Sequence, residues 1–272
     1  MESNESPTPA YFDLLTAAHT GDLDRFRNGR GSLAFAAAGG RLDVCRYLLK
    51  ELSVNINVTD HHDVAPLSYA AINGHLEIVN YLLEEGADAD GGKVSAKTPL
   101  QYALLGGNAM ILELLLDNGA NLTQTPLPYA ALLGQVAAVG VLLKWGLDPD
   151  GGPNSISPLV AAIISNSVDI VNMLLEAKAC PDKQSRGFVP LTFAAHYGLT
   201  NIVKSLVKAN ANTSVTDKDK MTALEIAAAA GNREMVKDLL PVTDLISKYP
   251  DCWTTDGLIN LFDSVEDYDA GV

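Results

Sequence analysis

One glycine recurs through this chain at a nearly constant interval, each time inside the same apolar pattern. It stands at Gly21, Gly40, Gly74, Gly107, Gly134, Gly198 and Gly231, and Asn166 takes its place once. Successive steps are 19, 34, 33, 27, 32, 32 and 33 residues. The strings around it align without gaps: PLSYAAINGHLEIVNYLL from Pro66, PLQYALLGGNAMILELLL from Pro99, PLPYAALLGQVAAVGVLL from Pro126, PLVAAIISNSVDIVNMLL from Pro158 and PLTFAAHYGLTNIVKSLV from Pro190. Divergent copies begin at Ser32 and Ala223, and a truncated one at Asp13. Self-similarity at this period marks a chain built from stacked supersecondary units.

Each unit reads as two short helices. Proline at the anchor suits a first helical turn, where its missing N–H has no role. Leu67, Ala70 and Ala71 then share one side, and alanines allow neighbouring helices to approach closely. Gly74 ends that helix at a tight corner; asparagine is the next best residue for a left-handed backbone, which accommodates Asn166. Ile78, Val79, Leu82 and Leu83 form a stripe at helical spacing, and Gly86-Ala87-Asp88 breaks the second helix. One such pair cannot cover its own stripe. Each buried Leu or Ile is worth roughly 1.5–3 kcal/mol, and stacking against the next pair supplies the cover.

These residues resemble the ankyrin repeat family. The resemblance rests on Ala65-Pro66-Leu67, Thr98-Pro99-Leu100, Gly74-His75-Leu76-Glu77-Ile78-Val79 and Glu85-Gly86-Ala87-Asp88, and it covers residues 10–240. It implies an all-α solenoid of about seven antiparallel helix pairs, with short β-hairpin-like fingers projecting to one side and an N-terminal capping unit over Asp13 to Asn28. It also implies a concave protein-binding groove made by the first helices and fingers. The 27-residue step between Gly107 and Gly134 departs from the pattern and removes most of the finger between Asn121 and Thr125. Residues 1–9 are expected to be a disordered tail, and 241–272 a capping helix with an acidic end. In that last segment Trp253-Thr254-Thr255-Asp256-Gly257-Leu258-Ile259 is similar to plant ankyrin proteins that continue into tetratricopeptide repeats. The alternative is a cap in which Leu258, Ile259, Leu261, Phe262 and Val265 cover the last repeat.

Charge narrows the partners. The formal net charge is −14, which repels phosphate backbones and anionic membrane faces and favours basic peptides or basic protein patches. Cys45, Cys180 and Cys252 are widely spaced and odd in number, which argues for a reducing compartment. No secretory leader is apparent at the start, and no run of 18 apolar residues occurs. A cytoplasmic or nuclear monomer is the expectation.

Motifs with chemical potential fail on context. Gly29-Arg30-Gly31-Ser32-Leu33-Ala34 has dinucleotide-loop spacing, but helical sequence precedes it rather than a strand. Asp88-Ala89-Asp90-Gly91-Gly92 and Asp148-Pro149-Asp150-Gly151-Gly152 begin like calcium loops, yet position twelve is Pro99 or Leu159 rather than glutamate; they read as finger turns. His61-His62 lacks further ligands at metal spacing. His75 is read as structural, and His19 and His196 stand outside any triad-like motif. Neither catalysis nor a cofactor is expected.

The informative positions are the two before each glycine, which in the family face the groove. Here they include Ile72, Asn73, Leu105, Leu132, Leu133, Ile164, His196 and Tyr197. The fingers add His61, His62 and, two residues before each anchor, Val64, Ile156, Phe188 and Met221. So many apolar groups in a trough are expected to bind a partner segment with apolar anchors and basic flanks. The alternative is a chaperone-like or targeting adaptor that shields hydrophobic client segments.

Overall fold

The computed structural model describes residues 31–60, 62–91, 97–122, 126–152, 156–243 and 252–269, with side chains given up to 262. The expected tail at 1–9 and the capping unit at 13–28 lie outside these residues. The chain divides into two compact units, Met1–Thr123 and Gln124–Val272. The division falls inside the shortened finger.

The first unit holds α1 (Ser32–Ala38), α2 (Leu42–Lys50), α3 (Pro66–Ile72), α4 (Leu76–Glu84), α5 (Pro99–Leu105) and α6 (Ala109–Asp117). The second holds α7 (Pro126–Leu132), α8 (Val136–Lys144), α9 (Pro158–Ile164), α10 (Val168–Glu176), α11 (Pro190–His196), α12 (Thr200–Lys208), α13 (Ala223–Ala229), α14 (Arg233–Leu239) and α15 (Thr255–Asp269). Within each unit first helices pack on first helices, second helices on second helices, and each first helix on its own second. No strand occurs among the described residues; the fingers carry two isolated antiparallel bridges, Ser185–Phe188 and Thr216–Thr222.

A seven-residue helix is too short to stand alone in water. Its stability comes from burial on its neighbours. Leu67, Ala70 and Ala71 of α3 are fully buried, as are Leu127, Ala130 and Ala131 of α7. Ile78, Val79 and Leu82 of α4 seal the inner side of the second helix. Proline occupies the first turn of α3, α5, α9 and α11. At α13, which lacks it, Thr222 caps the helix in a reciprocal box with Glu225. The corner residue is left-handed, and Asn166, with φ of +53°, adopts the same conformation as the glycines it replaces.

The last helix, α15, packs on α13 and α14. Leu258 and Ile259 are buried and Leu261 and Phe262 are half-buried; the side chain of Val265 lies outside the described residues. Thr254 Oγ1 accepts from Gly257 N at the helix start, and Arg233 pairs with Asp256 across the junction.

Candidate functional site

Two hydrogen-bond ladders position the fingers and helix ends on which the site depends. In the first, an Asp or Asn side chain at the base of one finger accepts the backbone N–H of the next. Asn57 Oδ1 accepts from Asp88 N, Asp90 Oδ1 from Asn121 N, Asp150 Oδ1 from Cys180 N and Asp182 Oδ1 from Asn212 N, all at 2.7–2.9 Å. The Asp-x-Asp-Gly segments that resemble calcium loops are rungs of this ladder. In the second, side chains near the corner reach the last carbonyls of the preceding first helix. Asn108 Nδ2 donates to Ala71 O and Ser165 Oγ to Ala131 O, and His75 Nε2 contacts Ala38 O at 3.0 Å. His75 is therefore structural.

The fingers fold around their own aspartates. Asp60 Oδ1 accepts from His62 N and Val64 N, and Asp217 Oδ1 does the same for Asp219 N and Met221 N. Asp60 Oδ2 takes the Tyr69 hydroxyl at 2.6 Å, tying the finger to α3.

The proposed contact residues separate by exposure. In the second unit Leu132, Leu133, Ile164 and Tyr197 range from 40% to 63% exposed, and Phe188 falls in the same range; His196 is also exposed. They lie at the C-terminal ends of α7, α9 and α11, helices that pack side by side, so the structure brings them into one row with Phe188 on the adjoining finger. In the first unit Ile72 and Leu105 are half-buried, and only Asn73 and His62 are exposed. Ile156 and Met221 are half-buried. Val64 is a correction: it is 6% exposed and belongs to the core, where the finger is held against α3 by the Asp60–Tyr69 hydrogen bond. His61 lies outside the described residues.

The sequence reading missed two features. The first is Phe193, whose ring lies 4.7 Å from Phe188 and 4.9 Å from Tyr197, centroid to centroid. A signal was present, since the fourth position of the first helix is aromatic at Phe35, Tyr69, Tyr102, Tyr129 and Phe193. Phe188, Phe193 and Tyr197, with His196 and the next finger, line an open cavity of about 280 Å³. The second is Met110 on the back of the first unit, 69% exposed and standing where the other second helices carry Asp43, Glu77, Ala137, Asp169, Asn201 and Glu234. It borders a shallow groove with Arg46, Tyr81 and Glu113, and the Arg46 guanidinium lies 5.4 Å from the Tyr81 ring centroid.

Titratable groups serve the scaffold. Lys204 bridges Glu234 at 2.7 Å and Asp238 at 3.4 Å; the hydrogen bond to Glu234 raises the lysine and lowers the carboxyl from their ordinary values. A bond to Glu85 raises Lys50 in the same way. Burial, with a smaller contribution from Asp43, pushes the Cys45 thiol up to about 12. No cluster of three or more metal-ligating side chains occurs among the described residues. No helix among them is long and apolar enough to cross a membrane.

Family models agree with this anatomy. The model described as ankyrin repeats (three copies) matches residues 10–93 and 159–249, and the single ankyrin repeat matches 97–125. The chain is 30% identical over 216 residues to the ankyrin repeat protein nuc-2 of Neurospora crassa, across 78% of this chain and 18% of that protein. It is 36% identical over 85 residues to alpha-latrocrustotoxin-Lt1a of Latrodectus tredecimguttatus, across 31% of this chain and 6% of the toxin. It thus spans a small fraction of the length of these two relatives. Among solved structures, the human ASB11 ankyrin repeat domain superposes with a TM-score of 0.69 at 29% identity, covering 77% of this chain and 98% of that domain. The ankyrin repeat domain of Bcl-3, a member of the IkappaB protein family, gives 0.65 at 25% identity, covering 78% and 99%.

Proposed function

The chain belongs to the ankyrin repeat family, whose domains are in general protein–protein interaction modules, and from that premise we propose that it is a scaffold holding a partner segment along the second unit. The single observation that supports this reading is the row formed by Leu132, Leu133, Ile164, Tyr197 and Phe188. Five large apolar side chains stand exposed on adjoining elements, where isolated ones would need no explanation. A helix or extended peptide with apolar anchors would cover them, and aromatic and aliphatic contacts would dominate its affinity. The net charge of −14 favours basic flanks on that segment and raises its rate of encounter. The three unpaired thiols favour a reducing compartment, the cytoplasm or the nucleus.

The test is affinity capture from source-cell extract with the wild-type chain and with Leu132→Asp/Leu133→Asp, alongside thermal melts. Both leucines are exposed, so the double variant keeps its melting temperature. Loss of the captured partner then places binding on the row, and undiminished capture by the folded variant removes the row from the function. A second reading draws on the same apolar row: an adaptor that shields hydrophobic client segments. Salt-insensitive binding to many unrelated apolar peptides favours that reading, and one tight, salt-dependent partner favours the scaffold.

A further inference from the structure

At one end of the row three aromatic rings stand in sequence. Phe188 and Phe193 are tilted at 55°, and Phe193 and Tyr197 meet edge-on at 61°. Phe188 and Tyr197 are exposed. The cavity they wall is closed on its far side by the following finger, which contributes Asp217, Lys218 and Asp219. Asp217 and Asp219 bring two carboxylates and Lys218 one ammonium to that rim, and His196 lines the cavity as well. Asp217 already fixes the finger turn through Asp219 N and Met221 N; the Asp219 carboxylate is exposed.

We propose that this cup seats the cationic side chain, lysine or arginine, of a basic residue in the bound partner. The assignment rests on the reading that a partner segment lies along the row, and it names the chemistry of one anchor. Aromatic faces carry negative charge and attract a cation within about 6 Å of the ring centre. A carboxylate at the rim adds to that attraction. An aliphatic anchor would gain only contact with the rings and would strip water from the rim carboxylates without replacing their hydrogen bonds. The ring faces and the exposed Asp219 carboxylate therefore favour a cation over an apolar group of the same size.

The experiment uses small probes, so its result does not depend on identifying the partner. The whole chain, labelled with ¹³C in Phe and Tyr, is titrated with ethylguanidinium chloride and, separately, with the neutral isostere ethylurea, and read by NMR. The cation is expected to shift the Phe188, Phe193 and Tyr197 resonances saturably and to bind several-fold more tightly than ethylurea. Tyr197→Leu preserves apolar bulk and removes one ring; Asp219→Asn removes one charge. Each is expected to weaken cation binding by about two- to fivefold with an unchanged melting temperature. Equal binding of the two probes, no saturable shift up to 100 mM probe (on the order of the weakest side-chain contacts), or insensitivity to both substitutions would overturn the assignment. The Leu132/Leu133 double variant retains the cation site in every case, so failure of the cup and failure of the row are read separately.

Discussion

The Asn108 side-chain amide donates to the Ala71 carbonyl oxygen at 3.0 Å, joining the start of one repeat's second helix to the end of the preceding repeat's first. The bond gives a second donor to a carbonyl at the end of α3 that also accepts from Gly74 N, where helix-terminal carbonyls lack intrahelical partners. It acts between repeats rather than within one. Asn108→Ala is therefore expected to destabilise the first unit by about 1–2 kcal/mol, read as a lower denaturant midpoint at unchanged slope.

The same interface leaves no room for a methyl group at Gly106. A Cβ there would collide with the Ile72 carbonyl oxygen and stand 2.5 Å from Asn108 Nδ2. The equivalent positions Asn73 and Ser165 carry side chains, so the tight approach belongs to this interface rather than to the helix corner in general. Gly106→Ala should cost about 1–3 kcal/mol through overpacking. Melting temperatures of this variant and of Gly86→Ala, where a Cβ meets nothing within 4 Å but the backbone φ is +89°, separate steric collision from backbone strain.

At the other end of the chain Thr222 and Glu225 are both buried. The Glu225 carboxylate accepts from Thr222 N at 2.8 Å and from its hydroxyl at 3.0 Å, and Thr222 Oγ1 accepts from Glu225 N. Thr222→Ala removes the cap from a helix that has no proline at its start and should cost about 1–2 kcal/mol. Thr222→Ser, which retains the oxygen, should recover most of that loss in the same chemical melt.

The thiols differ in environment. Burial pushes Cys45 up to about 12 against an ordinary value of 9.0, whereas Cys180 is exposed. A thiol reagent at pH 8 should label Cys180 rapidly and Cys45 only on unfolding, because the thiolate is the reactive form. The raised value also has a stability consequence. The folded state holds this proton more tightly than the unfolded chain, so the contribution is intact below pH 9 and is lost as pH rises toward 12. The stability advantage of wild type over Cys45→Ala should narrow across that window, measured by denaturant melts at successive pH values.

Local chemistry made much of the molecule legible in one dimension. The 3.6-residue stripe of Ile78, Val79 and Leu82, the proline at position 66 and the left-handed corner at Asn166 are properties of a few adjacent residues, and the helices formed where those signals lie. The fingers behaved differently. Val64, Ile156, Phe188 and Met221 share one register and are indistinguishable in sequence, yet the first is buried, two are half-buried and Phe188 is exposed. The turn-forming aspartate lies only four residues before Val64 and Met221, so exposure at such a site is decided by what the neighbouring repeat, about 30 residues away in the chain, places over it.

The amino-acid order by itself determined the repeat, its helix pairs and their need to stack, because capping, periodicity and backbone handedness act over a single turn. Only the tertiary structure decided which apolar residues remained uncovered, which Asp and Asn side chains became rungs between fingers, and how Phe188, Phe193 and Tyr197 met as one cup. Those outcomes depend on distances between separate repeats, and packing across such an interface is fixed by the neighbour as much as by the residue itself.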